Sequence, residues 1–234
     1  MSLEVRTASD TPSLLSRARG VLFDFDGPIC RLWSKEFSRS VAEALWKRVC
    51  KEGPTDLLMR EGPLSDDPHA VLRAVHGSRD HQDLLGILEA QVAEKELVAA
   101  RREAQPTRDA AKLIRRMAGR GLRLAVVTNN SAGAASYYLE SQGLAGCFRA
   151  VHGRTRDLDR MKPNPYMLLS ALNSLGLRPD QVVMIGDSPA DVIAAREAEV
   201  PFIGYGRNER KESDLRRAGA ERVLDSYALL LDEE

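Results

Sequence analysis

Residues 21–28 read VLFDFDGP, an apolar run that ends in two aspartates separated by Phe25 and followed by Gly27 and Pro28. A short continuous apolar run closed by glycine and proline fits a strand buried on both faces. Such a strand cannot end in unpaired carboxylates, because burying a charge is costly unless a cation or a proton offsets it. Asp24 and Asp26 stand two residues apart on an extended chain, so both side chains point to the same side of it.

Two further apolar runs end in polar groups. LAVVTNNS, residues 124–131, delivers Thr128 to Ser131, and VVMIGDSPAD, residues 182–191, delivers Asp187 and Asp191. From about residue 106 onward, helix-like and strand-like segments alternate. Helices are expected over 107–118, 131–142, 165–175 and 189–198, and strands over 122–127, 148–151, 182–185 and 202–205. That alternation predicts an α/β fold, a parallel sheet covered by helices, with Val21 to Phe23 as its first and central strand. GRNERKES, residues 206–213, is expected to be a solvated turn before a final helix. In a parallel sheet all carboxyl ends share one edge, where ligands bind, so the three polar groups should converge.

Residues 28–105 have a different texture, with expected helices over 36–49, 68–75 and 83–104 and no convincing strand. The helices are separated by EGPTD, EGPLSDDP and HGSRD. The block interrupts the alternation directly after the first strand. It is therefore expected to be a helical cap inserted between two parts of a core formed by 1–27 and 106–234.

Composition narrows the partners. The chain has 234 residues, 34 basic and 34 acidic side chains, and 43% hydrophobic residues, as in an ordinary globular protein. Its formal net charge of +0 gives no electrostatic reason to expect a nucleic-acid partner. No apolar run is long enough to span a membrane, and the N-terminus lacks the apolar stretch of a secretion signal, so no membrane association and a cytoplasmic location are expected. Cys30, Cys50 and Cys147 show no zinc-like spacing and are expected to be reduced, mostly packing residues. His69, His76, His81 and His152 show no metal-ligand spacing either. They are expected to be structural or exposed, and Trp33 and Trp46 to pack the cap. Monomer and homodimer are equally compatible with the sequence.

DFDG, TNN after a hydrophobic strand, the lysine of MKPNPYM and GDSPAD, in that order, resemble the four motifs of the haloacid dehalogenase-like hydrolase superfamily. The similarity covers essentially the whole chain, and the helical block resembles the C1-type cap of its phosphoglycolate phosphatase-like members. Any one motif alone is a weak signal, whereas four in order are specific. The resemblance implies a Rossmann-like core and a magnesium-dependent phosphatase acting on a small phosphorylated metabolite. Asp24 would be the nucleophile that forms an aspartyl-phosphate. Asp26 would be the general acid and base. Asp24, the backbone carbonyl of Asp26, Asp187 and Asp191 would hold the magnesium, and Thr128, Asn129 and Lys162 the phosphate. The second aspartate favours phosphate-ester chemistry, because the dehalogenase and phosphonatase branches lack an acid there.

Each residue has a plainer rival reading. Asp24 and Asp26 alone could be a turn or a helix cap, Thr128 to Asn130 a cap, Asp191 a response to a helix dipole, and Lys162 a loop lysine. The carboxylates together with a phosphate dianion outweigh the charge of one magnesium and Lys162. An arginine is the natural supplement. Arg31, Arg154, Arg156 and Arg160 lie near the motifs, although each is expected to be a solvated surface residue. Pro28 departs from the usual threonine or valine and removes a backbone donor; PICRLW also lacks the common acidic-serine pair. A phosphomutase and a feeble binding or regulatory protein therefore stay open beside the phosphatase.

Overall fold

The computed structural model describes residues 11–53, 65–77 and 81–231. The first ten residues, and most of the linkers expected between the cap helices, lie outside the described residues. β1 (Gly20–Phe23), β4 (Arg123–Val127), β5 (Phe148–His152), β6 (Val182–Gly186), β7 (Phe202–Tyr205) and β8 (Val223–Leu224) form a 6-stranded sheet in the order β5-β4-β1-β6-β7-β8. Every pairing is parallel, and Phe23 at the end of β1 stands opposite Val126 and Ile185. Val21 to Phe23 is thus an interior strand, as its uninterrupted apolar run predicts.

Period-two alternation decides which helix each residue meets. Val21, Phe23, Leu124, Val126, Val183 and Ile185 face the helices Ala110–Gly119 and Ala132–Ser141. Leu22, Ala125, Val127 and Met184 face Tyr166–Leu175 and Pro189–Glu197. Both faces are covered, so the strand ends are held by packing from each side.

The helices Lys35–Glu52, Pro68–His76 and Gln82–Arg102 share a separate cluster built on Val41, Leu45, Val49, Leu72, Val75, Leu88 and Val92. Ser34 and Asp67 cap the first two by accepting hydrogen bonds from Phe37 N and His69 N. The third is about 31 Å long at 1.5 Å per residue, long enough to reach both clusters, and Ala99 and Ala100 near its end pack with Val21 and Phe23.

Several short elements differ from the expectations. β2 (Cys30–Arg31) pairs antiparallel with β3 (Gln105–Pro106), so the helical block enters and leaves through a two-stranded ribbon. Two residues per strand carry no readable period. GRNERKES is no turn: Asn208 caps a helix, Glu209–Arg217, by accepting from Lys211 N at 2.9 Å. β8 extends the sheet beyond the strand expected to be last, and Thr11–Arg17 adds a helix before β1. The helix expected from Thr107 starts at Ala110, after Asp109 in a left-handed conformation.

The C-terminal segment holds the loop after β1. Tyr227 is buried, stacks on Tyr205 and donates its hydroxyl to Pro28 O at 2.9 Å. Tyr227→Phe leaves that carbonyl unsatisfied and should cost about 1–3 kcal/mol, a fall of about 2–12 °C in Tm at about 2–4 °C per kcal/mol for a chain of this size. Thermal and denaturant unfolding check this; an unchanged Tm would mean the bond contributes nothing.

Candidate active site

The carboxyl ends of β1, β4 and β6 bring the predicted residues together. Asp24 follows β1, and its Oδ1 accepts from Phe25 N at 2.8 Å and lies 2.9 Å from Lys162 Nζ. Asp187 follows β6. Asp191 lies in the first turn of Pro189–Glu197, where its Oδ2 accepts from Asp187 N, Ser188 N and Ser188 Oγ at 2.7–3.1 Å. Its role is therefore more specific than answering a helix dipole: it ties the end of β6 to the helix that follows.

Asp24, Asp187 and Asp191 are all buried, and each offers a carboxylate oxygen to a group of atoms within 4.8 Å of one another. Lys162 Nζ sits 2.6 Å from Asp191 Oδ1 and donates to Val127 O at 2.9 Å. Lys162 in turn is fixed through its backbone. Its N–H donates to Asn129 Oδ1 at 2.8 Å, and its carbonyl accepts from Asn129 Nδ2 at 3.0 Å. Thr128 Oγ1 accepts from Asn130 N and donates to Asn130 Oδ1. Asp26 Oδ1 accepts from Leu32 N at 2.8 Å.

Close carboxylates require space as well as charge. Gly27 has φ of 121°, and a Cβ there would lie 2.3 Å from Asp187 Cγ. A Cβ on Gly186 would lie 2.6 Å from Asp191 Cβ. Both glycines are required by close approach.

Burial pushes the Asp24 carboxyl up to about 8; Lys162 opposes the rise, and Asp191 and Asp187 add to it. Burial and Asp187 push Asp26 up to about 6, against the Leu32 hydrogen bond and the charges of Lys211 and Arg207. Burial also raises Asp187, against Lys211. Burial works against the Lys162 charge, but Asp191 and Asp24 outweigh it and hold the ammonium above the ordinary lysine range.

These groups open onto a cavity of about 570 Å³ whose walls include Trp33, Ser34, Lys35, Arg39 and His69 from the helical block. Trp33 thus lines the cavity as well as stacking on Phe37, while Trp46 packs among the helices. Three further cations reach the cavity from the loop and helix after β7: Arg207, Arg210 and Lys211. Lys211 Nζ lies 2.7 Å from Asp187 Oδ2 and donates to Asp187 O at 3.0 Å. Sequence reasoning missed it because GRNERKES reads as solvated charge; the Asn208 cap, which turns the segment back toward β6, was the available signal.

Of the four arginines expected to be solvated, Arg31, Arg156 and Arg160 are exposed, and Arg31 borders the cavity. Arg154 is not: its side chain is 0% exposed and paired with Glu96 and Glu89. His69 bonds to Glu96, and His76 lies near Asp157 and Asp159 in an otherwise exposed acidic group. Cys30 is buried, Cys147 partly buried and Cys50 exposed, all as free thiols.

Residues 18–199 match the family of haloacid dehalogenase-like hydrolases. The chain belongs to that family. It is 41% identical over 122 residues to a phosphoglycolate phosphatase of Rhodospirillum rubrum, covering 51% of this chain and 49% of that protein. It is 32% identical over 112 residues to pyrophosphatase PpaX of Halalkalibacterium halodurans, covering 48% and 52%. The chain spans about half the length of these curated relatives. The crystal structure of CbbY from Rhodobacter sphaeroides in complex with phosphate shares this family's fold, with a TM-score of 0.65 and 22% identity, covering 91% of this chain and 96% of that one. No helix among the described residues is long and apolar enough to cross a membrane.

The raised carboxyls predict a pH-dependent stability for the chain. A carboxyl whose pKa is higher in the folded chain stabilises fully below its unfolded value near 4 and loses that contribution as pH rises through the folded value. In excess chelator, Tm should therefore fall between about pH 4 and pH 8, the Asp26 contribution being lost progressively up to about 6 and the Asp24 contribution up to about 8. Asp24→Asn should flatten the upper half of that fall. A flat wild-type profile in thermal scans would contradict the electrostatic account.

Proposed function

We propose that the chain is a magnesium-dependent phosphatase that hydrolyses a small phosphorylated metabolite through an aspartyl-phosphate on Asp24. The observation that carries this is the carboxylate of Asp24, fixed at the end of the central strand and facing a cavity beside Lys162. The phosphoglycolate phosphatase and pyrophosphatase names of the relatives support the same reading.

The donor set suits a hard cation, since magnesium takes oxygen ligands from one or two carboxylates and keeps several waters. Asp24, Asp187 and Asp191 are close enough to share one ion, and Asp191 Oδ1 is buried and takes no hydrogen bond beyond its ion pair with Lys162; the Asp26 carbonyl would be a further ligand. When bound, magnesium would offset the carboxylates and the charge on the transferring group.

In the proposed reaction Asp24, whose carboxyl at about 8 would give up its proton to solvent once a bound cation offsets the burial, attacks phosphorus through Oδ as the bond to the leaving oxygen breaks. Asp26, lifted to about 6 and so partly protonated near neutrality, gives its proton to that oxygen. It then takes a proton from the water that splits the phosphoaspartate, returning Asp24 to its starting state. Lys162, Thr128 Oγ1 and the Asn129 amide would grip the phosphoryl oxygens. Lys211, held on Asp187, joins Lys162 in supplying the positive charge that the motifs alone lack.

Residues 1–27 and 106–234 would form the catalytic core and 28–105 a cap that closes over it, pivoting on the ribbon of β2 and β3. Closure would exclude water and bulky substrates. Thr107 supports the pivot, donating its hydroxyl to Gly27 O at 2.6 Å.

A panel of phosphorylated metabolites, phosphoglycolate among them, should release phosphate with magnesium and none in chelator. Calcium should inhibit, because its looser shell misplaces the nucleophile. Asp24→Asn should fall to background, and Asp187→Asn should raise the magnesium requirement about 10-fold or more. Undiminished turnover in excess chelator would refute the assignment.

A further inference from the structure

Glu96, in the helix Gln82–Arg102, and Arg154, just after β5, are buried charges that line no part of the cavity. Each grips the loop after β4. Glu96 Oε2 accepts from Ser131 N at 2.8 Å, and its Oε1 accepts from Asn130 Nδ2 at 3.1 Å. Arg154 Nη1 donates to Asn129 O at 2.9 Å, and Arg154 N donates to Asn130 O at 2.8 Å. The two side chains also bind each other, Nη1 to Oε1 at 2.8 Å and Nη2 to Oε2 at 3.2 Å. Three consecutive loop residues are therefore held by one forked ion pair. Burial by itself pushes the Glu96 carboxyl up, but the His69 hydrogen bond and Arg154 more than offset it and hold it at about 2, so the pair stays charged.

We propose that Glu96 and Arg154 are positioning residues that fix the loop of Thr128 and Asn129 for phosphate binding and thereby tie that loop to the long helix of the cap. The inference rests on the phosphatase reading above. Asn129 is the joint. Its carbonyl is held by Arg154 while its side chain holds both backbone polar groups of Lys162. A loosened pair would therefore misplace the Asn129 amide and Lys162 together. Glu96 also takes up the Ser131 amide, two residues after Asn129. His69 stands 2.9 Å from Glu96 Oε1 and 3.0 Å from Arg154 Nη1, bringing a second cap helix onto the same pair.

The control lies in the same cluster. Glu89 Oε1 also accepts from Arg154, at 3.2 Å from Nη2, but among the described residues it forms no hydrogen bond with residues 128–131. Removing one member of a buried pair strands the other, and removing both charges avoids that. The test therefore uses Glu96→Gln, Arg154→Lys, Glu89→Gln and the double variant Glu96→Gln/Arg154→Met, all in the full chain with magnesium. The readouts are kcat and KM for an alkyl and an aryl phosphate, inhibition by inorganic phosphate, and Tm.

Glu96→Gln, Arg154→Lys and the double variant should each lose about 10- to 100-fold in kcat/KM, the range for residues that act through a neighbour. The loss should be equal for good and poor leaving groups and matched by weaker phosphate inhibition. Glu89→Gln should stay within about 2-fold, since it strands no loop group. A folded double variant with full kcat/KM and unchanged phosphate inhibition would overturn the proposal, as would a Glu89→Gln loss equal to that of Glu96→Gln. A wild type that hydrolyses no phosphate ester overturns the phosphatase reading and this inference together; an active wild type with unaffected variants overturns the inference alone.

Discussion

Lys162 Nζ, seated 2.9 Å from Asp24 and 2.6 Å from Asp191, is the contact on which the edge of the sheet depends. Three buried carboxylates within a few ångströms repel one another, and desolvation makes each more costly. Lys162 offsets two of them and Lys211 the third. What remains unbalanced is visible in the raised carboxyls of Asp24, Asp26 and Asp187, and it suits the site to a divalent cation. The same crowding explains the glycines at 27 and 186, where any side chain would collide with the acids.

Packing converts this charge problem into a rigid site. β1, β4 and β6 are covered from both sides, so Asp24, Thr128 and Asp187 leave strands with no freedom to shift apart. Lys162 comes from a loop, and its position is borrowed through Asn129. The loop that carries Asn129 is bonded by Glu96 of the helical block. The helix Gln82–Arg102 packs its far end into the sheet cluster and its near end into the cap cluster, with Glu96 between them at the loop.

Much of the candidate site was legible because its residues end apolar runs. Asp24, Thr128 and Asp187 each follow a strand, and burial on both faces writes such strands as unbroken hydrophobic stretches. Lys162 carried no such mark and was found through its motif. Lys211 and Arg154 were hidden for a shared reason: their partners are far off in sequence, and a charged residue in a charged segment looks solvated until the chain is folded. The Arg154–Glu96 separation of 58 residues has no local trace. The ribbon of β2 and β3 was invisible because two-residue strands have no period, and its pairing spans Cys30 to Pro106. Pro28 reads only as a departure from the usual threonine or valine that removes a backbone donor, yet its carbonyl accepts from the Tyr227 hydroxyl, a contact with the C-terminal segment.

The central claim is that the carboxylate of Asp24 becomes covalently phosphorylated, and chemical trapping reads that bond directly. Enzyme mixed with excess substrate and magnesium, quenched in acid and reduced with borohydride, should yield homoserine at position 24 when its peptides are sequenced by mass spectrometry. Omission of substrate or of magnesium should leave aspartate there. Steady phosphate release with no reduced residue at position 24, or with the reduction at Asp26 or Asp187 instead, would contradict the account.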